Sequence, residues 1–325
     1  MRQNENGKAR RRPWSMALAP ATAADAGCRA GLDAEADMSG FTPGAEPIRC
    51  LPWDIGTGVR GYAWEAPAPR GVVLLQHGYG EYAQRFVKHY SRLIPHLLNA
   101  GLSVYAIDLW GHGHSPGRRA VTDLGQAVED HLAARRKLRN QPLPVFVFGH
   151  SLGGLVTAAS VARDQSGLCG VLLSSPFLRK EVPAWKRLLV NVLAAVGPTL
   201  PAPEAPAELS GLSRIPEELE LVENDPLIYR GRAPMLLAAT ALNLLEDNPS
   251  RYPEWRVPTL VLHGTADTYT DPEGSRELFK TIASEDKTLH LVEGGYHELL
   301  NDEERDETLC VLLIWLSRRL PQNGE

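Results

Sequence analysis

Ser151 stands at the centre of Gly149-His150-Ser151-Leu152-Gly153, after the apolar β-like run Val145 to Phe148 and at the head of a helix-like run, Leu152 to Arg163. A serine hydroxyl becomes a useful nucleophile when a tight strand-to-helix turn exposes it. Such a turn needs nearly side-chain-free residues two before and two after, here Gly149 and Gly153. Oγ then stands at the carboxyl end of a strand, beside a helix N-terminus that favours developing negative charge. Glycine and serine are common, so the pentapeptide alone is equally an ordinary Gly-rich turn. The hydroxyl also needs a base, and the base needs an orienting carboxylate.

For this kind of turn the chain order is serine, acid, histidine. Pro258 to Leu262 reads as a short buried strand whose following turn, His263-Gly264-Thr265-Ala266-Asp267, presents Asp267. Thr288 to Glu293 reads as another, and Gly294-Gly295-Tyr296-His297 presents His297 before the last helix. Loops at the carboxyl edge of a parallel sheet converge on one site. The rivals fit less well. Asp271-Pro272-Glu273 reads as a helix cap. His290 lies inside a strand, His263 precedes the acid, and His150 is locked beside the serine. Ser151, Asp267 and His297 are therefore the expected catalytic residues. After the apolar strand Gly71 to Gln76, the loop His77-Gly78-Tyr79-Gly80 is placed to give one backbone N–H to an oxyanion, and the residue after the serine gives the other. That points to the amides of Tyr79 and Leu152, each a donor of about 3 kcal/mol in comparable sites. His112 and His114 have no partner ligands at metal spacing, so no metal is expected. No G-x-G-x-x-G opens a helix after the first strand, so no cofactor is expected.

Holding these groups together requires strands whose carboxyl ends face one way. Strand signals run Ile48 to Trp53, Val59 to Glu65, Gly71 to Gln76, Ser103 to Leu109, Val145 to Phe148, Cys169 to Ser174, Thr259 to Leu262 and Thr288 to Glu293. Helix signals fall between them at Phe86 to Ala100, Gln126 to Asn140, Leu152 to Arg163 and Pro272 to Ile282, and a last one runs Asp302 to Leu320. An opening antiparallel pair followed by repeated strand–helix units predicts an α/β fold, with a mostly parallel eight-stranded sheet and helices on both faces. The interval Leu178 to Pro253 breaks the rhythm and reads as an inserted helical cap. It carries two apolar helix-like runs, Trp185 to Val196 and Met235 to Leu245, joined by the Pro-rich stretch Pro198 to Pro206. An apolar helix over a serine site can line an acyl channel and touch a membrane or micelle surface. Packing of the cap onto the sheet explains the same apolar faces, so both readings stand at this point. Leu188 and Leu189 are the expected channel residues.

Hydrophobic content of 43% and charge of 22% in 325 residues support one large domain, expected over 45–325 with the cap at 178–253. A formal net charge of -5 gives no basis for a nucleic-acid partner. Cys28, Cys50, Cys169 and Cys310 are scattered, and Cys169 and Cys310 fall in apolar patterns expected to pack as thiols. Residues 1–44 lack periodicity and are expected to be a disordered extension. Arg10-Arg11-Arg12 before Trp14 to Ala24 invites a signal-peptide reading, but the stretch is short and carries Pro20 and Thr22. Asp25 also spoils a lipoprotein site at Cys28, and Met38 is an alternative start. Export is not expected; a cytoplasmic protein, at most peripheral to a membrane, is. No apolar run approaches the ~18 residues of a membrane span.

Several blocks together carry a family resemblance. They are His77-Gly78-Tyr79-Gly80-Glu81-Tyr82-Ala83-Gln84-Arg85-Phe86, Asp108-Leu109-Trp110-Gly111-His112-Gly113-His114-Ser115, Gly149 to Gly154, and Asn224-Asp225-Pro226-Leu227-Ile228-Tyr229-Arg230-Gly231 with the preceding Leu212-Ser213-Arg214. His263 to Asp267 and Tyr296-His297-Glu298-Leu299 complete them. In order and spacing the chain resembles the monoacylglycerol lipase and lysophospholipase group of α/β-hydrolases, with its S33-type hydrolase domain, from about residue 45 onward. The resemblance implies the α/β-hydrolase fold and hydrolysis of the acyl ester of a monoacylglycerol or lysophospholipid, with Ser151, Asp267 and His297 as triad. A general carboxylesterase or acyltransferase, and a non-catalytic binding protein of the same fold, are the alternatives. Tyr82, Phe86 and Ile215 depart from the common His, Tyr and Asp. Tyr82 and Phe86 are expected to alter the acyl or head-group pocket.

Overall fold

Val72 to Leu75 and Val145 to Phe148 are unbroken apolar runs, which suits strands covered on both faces. In the structure, a computed structural model describing residues 48–205 and 208–321, they are central strands of an eight-stranded sheet. The strands are β1 (Leu51–Trp53), β2 (Gly61–Trp64), β3 (Gly71–Gln76), β4 (Leu102–Ile107), β5 (Val145–His150), β6 (Leu168–Ser174), β7 (Thr259–Gly264) and β8 (Lys287–Val292), in the order β1-β2-β4-β3-β5-β6-β7-β8. β1, β2 and β4 pair antiparallel, and every pairing from β4 through β3 to β8 is parallel. The carboxyl ends of β3, β5, β7 and β8 thus open on one edge.

Alternate residues of each strand feed opposite cores. Val73, Leu75, Phe146 and Phe148 face one cluster with Phe86, Leu97, Leu309, Leu312 and Trp315. Val72, Leu74, Val145 and Val147 face the other with Leu138, Ala158, Trp255 and Leu278. Helices α1 (Arg85–Lys88), α2 (Leu93–Asn99) and α9 (Arg305–Ser317) supply the first cluster. Helices α3 (Leu124–Leu138), α4 (Ser151–Arg163) and α8 (Pro272–Thr281) supply the second. Asp123 caps α3, its carboxylate accepting from the amides of Gly125 and Gln126.

Between β6 and β7 stand α5 (Ala184–Val196), α6 (Pro216–Asn224) and α7 (Met235–Asp247). Leu237, Ala241 and Leu244 of α7 pack on Leu124, Val128, Leu155 and Ala159 of α3 and α4. α5 packs in turn on α7, through Ala194 against Met235 and Ala239 and a pair of amide hydrogen bonds between Asn191 and Asn243, each 3.1 Å.

Three expectations need correction, and one helix went unread. The helix read over Phe86 to Ala100 is two short helices, because Tyr90, Ser91 and Arg92 are left-handed, with φ of 55, 51 and 51°. Tertiary contacts hold that kink: Ser91 Oγ donates to the Leu300 carbonyl at 2.8 Å, and Tyr90 N–H donates to Asn301 Oδ1. Helix α6 was not legible as apolar periodicity, although Pro216 at its start with Glu217 and Glu218 in its first turn is a helix-start signal. Cys169 is exposed at the start of β6 rather than packed, whereas Cys310 is buried. The last helix is shorter at both ends than its leucine stripe suggested. The N-terminal extension, its signal-peptide reading and Cys28 lie outside the described residues. Among the described residues, no helix is long and apolar enough to cross a membrane.

Candidate active site

Ser151 ends β5 and begins α4 in a left-handed conformation, φ 53°. That strained turn presses its glycines against neighbouring backbone: a Cβ on Gly153 would lie 2.3 Å from the His77 carbonyl oxygen. Ser151 Oγ is 2.8 Å from His297 Nε2, and His297 Nδ1 is 2.8 Å from Asp267 Oδ2. An ionised carboxylate only accepts, so Nδ1 carries the proton and Nε2 is free to accept from the serine hydroxyl. Three residues more than a hundred positions apart at the extremes are brought into one hydrogen-bonded chain by the ends of β5, β7 and β8.

Asp267 is held by an unusually complete set of donors. Oδ1 accepts from the amides of Tyr269 (2.8 Å) and Thr270 (3.0 Å), and Oδ2 accepts from the Thr270 hydroxyl at 2.6 Å as well as from His297. His263 Nε2 lies 3.2 Å from the same oxygen, with its Nδ1 2.7 Å from Ser275 Oγ. Burial alone would raise the Asp267 carboxyl pKa. The facing His297 and the hydrogen bonds from both histidines outweigh it and hold the group far below the usual carboxylate range. Burial of His297 favours its neutral form, but Asp267, then Glu298 and Glu81, raise its pKa above the ordinary imidazole value.

The rivals occupy other roles. Asp271 caps α8, accepting from the Glu273 amide at 2.9 Å, and pairs with Arg179. His290 lies within β8. His150 turns Nδ1 to the Ser174 carbonyl, 3.2 Å, and burial with the nearby His297 pushes its pKa down to about 4. His112 bonds the Trp110 carbonyl, and the His114 amide donates to Asp108. The Gly78 amide donates to Glu81 Oε1 at 2.7 Å, and Tyr79 lines the cavity together with Ser151. Leu152 lies in the first turn of α4, where amides have no intrahelical acceptor.

Sequence reasoning missed a buried network behind the serine. Glu81 and Glu298 both accept from Arg85 Nη1 (3.1 and 3.2 Å) and from the Tyr90 hydroxyl (2.9 and 3.0 Å). It ties the loop after β3 to the residue that follows His297. Its one local signal was the i,i+4 spacing of Glu81 and Arg85. Two further expectations fail here. Phe86 is fully buried and stacks on Tyr90, and Tyr82 donates to Asp225 Oδ2 at 2.7 Å; neither lines the cavity.

The cavity in front of Ser151 has a volume of about 440 Å³ and runs beneath the β6–β7 insertion, which contributes Leu209, Leu212, Val222 and Ile228 to its wall. Leu188 and Leu189 do not line it; they lie exposed on the outer face of α5. The insertion is bonded directly to the site, since the Tyr229 amide donates to the Gly80 carbonyl at 2.7 Å and the Glu298 amide to the Leu212 carbonyl at 2.8 Å.

The family model described as serine aminopeptidase, S33, matches residues 67–304. A monoacylglycerol lipase of Mycolicibacterium smegmatis is 34% identical over 257 residues, 78% of this chain and 90% of the relative. A monoglyceride lipase of Homo sapiens is 32% identical over 266 residues, 79% of this chain and 85% of the relative. Among solved structures, the monoacylglycerol lipase of Paleococcus ferrophilus superposes with a TM-score of 0.73 at 33% identity, covering 80% of this chain and 99% of its own. Sheet order and family together define a serine ester hydrolase of the α/β-hydrolase fold, a carboxylic ester hydrolase. The chain belongs to the serine aminopeptidase S33 family.

Proposed function

We propose that this enzyme hydrolyses the acyl ester of a monoacylglycerol, or of a lysophospholipid, through an acyl-enzyme on Ser151. One observation carries the reading: the Ser151–His297–Asp267 chain, with both links at 2.8 Å, faces a cavity walled by apolar side chains of the insertion. In the proposed mechanism His297 Nε2 takes the hydroxyl proton as Oγ attacks the ester carbonyl, and returns it to the leaving alcohol. Asp267 holds the tautomer and stabilises the imidazolium that forms. The amides of Tyr79 and Leu152 receive the oxyanion, and water activated by His297 releases the fatty acid. The likeness to a monoacylglycerol lipase and a monoglyceride lipase supports this choice of substrate.

The polar end of the cavity favours the neutral head group. Glu81, Glu298 and Arg85 all line it, two acidic side chains against one basic. Glycerol hydroxyls can donate to the carboxylates, whereas a phosphodiester can only accept and meets net negative charge. Residues 178–253 are proposed to act as a cap. On α5, Trp185, Leu188, Val192 and Val196 recur at helical spacing and are 68, 66, 53 and 78% exposed, a face suited to rest on a membrane or micelle surface. The enzyme is proposed to be cytoplasmic and peripheral to a membrane.

Three measurements test these statements. With monomeric monoesters, kcat/KM should rise with acyl length, each buried methylene contributing up to about 0.8 kcal/mol, near fourfold, and then level off. The same monoacylglycerol should exceed its lysophospholipid counterpart in kcat/KM, and a flat length profile would remove the lipid-substrate reading. Replacing Leu188 and Leu189 together by Ser should lower turnover of micellar or vesicle-borne substrate severalfold while sparing a short soluble ester. Equal losses on both would assign the two leucines to stability alone. Finally, kcat/KM should fall on the acid side with a midpoint above the ordinary imidazole value of about 6.5, because the base works only when neutral and its neighbours favour its protonated form. A midpoint below that value would contradict His297 as the titrating base.

A further inference from the structure

We infer that Tyr269 is a positioning residue for the His297 imidazole; this rests on the reading of His297 as the base. The Tyr269 ring lies parallel to the imidazole, with ring centroids 4.9 Å apart and planes 13° apart. Its amide donates to Asp267 Oδ1 at 2.8 Å, so one short turn sets both the carboxylate that grips Nδ1 and the ring that covers the imidazole face. On its far side the phenol is held by the insertion. The hydroxyl donates to the Glu208 carbonyl at 2.7 Å, and the backbone of Gly211 presses on the ring, where an added Cβ would lie 3.0 Å from Cε2. The Gly211 carbonyl accepts from the His297 amide at 3.4 Å. Segment 208–212 thus bonds both the phenol and the His297 backbone.

The chemistry gives this stack a purpose. When Nε2 takes the serine proton, His297 becomes a cation stacked on the Tyr269 face, with the His150 ring tilted by 47° at 5.0 Å. An aromatic π face attracts a cation and has no such attraction for the neutral imidazole, so it favours the state formed in the transition state over the resting state. The charged and titratable groups facing His297 are Asp267 from the β7 loop, with His263 behind it, His150 from the end of β5, and Glu298 with Glu81 and Arg85 from the buried network. Among these, Tyr269 contributes a face rather than a charge. Its removal should shift the titration of His297 without rearranging the ion pairs.

The test compares Tyr269→Leu with Tyr269→Phe on a short soluble ester. Tyr269→Leu should lower kcat about tenfold with little change in KM, and move the acid limb of kcat/KM to lower pH by about 0.5. Tyr269→Phe keeps the ring and loses only the link to Glu208, so it should recover most of the kcat and the wild-type acid limb. If Tyr269→Leu does not fold, Tyr269→Met fills a similar volume without a π face and carries the same expectation. Equal losses in the Phe and Leu variants, or an acid limb unmoved in the Leu or Met variant, would overturn the inference. Fluorophosphonate labelling of Ser151 in the wild type tests the underlying reading separately. If Ser151 labels and Tyr269→Leu behaves as wild type, the reading stands and the inference fails; if Ser151 does not label, both fall.

Discussion

Ser151→Ala should lower kcat on an acyl ester by about 10³-fold or more and leave the fold intact. The hydroxyl is the only group lost, and its hydrogen bond is to His297 Nε2 at 2.8 Å. The close approach of Gly153 to the His77 carbonyl, which fixes the turn, is untouched. Activity that survives should come from the backbone donors and from binding alone, since these stabilise an oxyanion without supplying a nucleophile. The measurement is kcat on a purified variant whose circular dichroism and melting temperature match the wild type, together with loss of fluorophosphonate labelling. Near-full activity in such a variant would take the nucleophile away from Ser151.

Asp267→Asn should cost about 10⁴-fold in kcat, by analogy with comparable triads. An amide NH₂ turned toward His297 Nδ1 favours the tautomer protonated on Nε2, which can no longer accept the serine proton. The same change removes the negative charge that raises the basicity of His297, so any residual activity should also lose its acid limb from the range above the ordinary imidazole value. Asp271→Asn is the control. Its carboxylate caps α8 and pairs with an exposed Arg179, and asparagine is itself a good N-cap, so the loss should stay below about 1 kcal/mol of stability with kcat nearly unchanged. The two variants are compared by kcat and by thermal melting. A reversed ranking would reassign the acid.

The groups legible in the sequence are those whose type is dictated by local geometry. Gly149 and Gly153 bracket Ser151 because the turn leaves no space for side chains, and Asp267 and His297 each follow a strand end, where a parallel sheet gathers its loops. The continuous apolar runs of β3 and β5 are likewise local consequences of burial on two faces. Phe86 and Tyr82, read from their departures as pocket residues, went instead to the core and to Asp225, because no short-range pattern says which way a side chain turns.

The amino-acid sequence by itself determined the strand–helix alternation and the turns that present Ser151, Asp267 and His297 after strand ends, since each depends on residues a few positions apart. Only the tertiary structure decided the rest. The break in the helix at Tyr90 to Arg92 depends on Leu300 and Asn301, about two hundred positions away. The Arg85–Glu298 ion pair and the stacking of Tyr269 on His297 beside segment 208–212 also join distant elements. Their physical reason is shared: a buried charge or ring takes its partner from whatever the packing of distant elements brings within about 3–5 Å, and that distance is set by the fold and not by spacing along the chain.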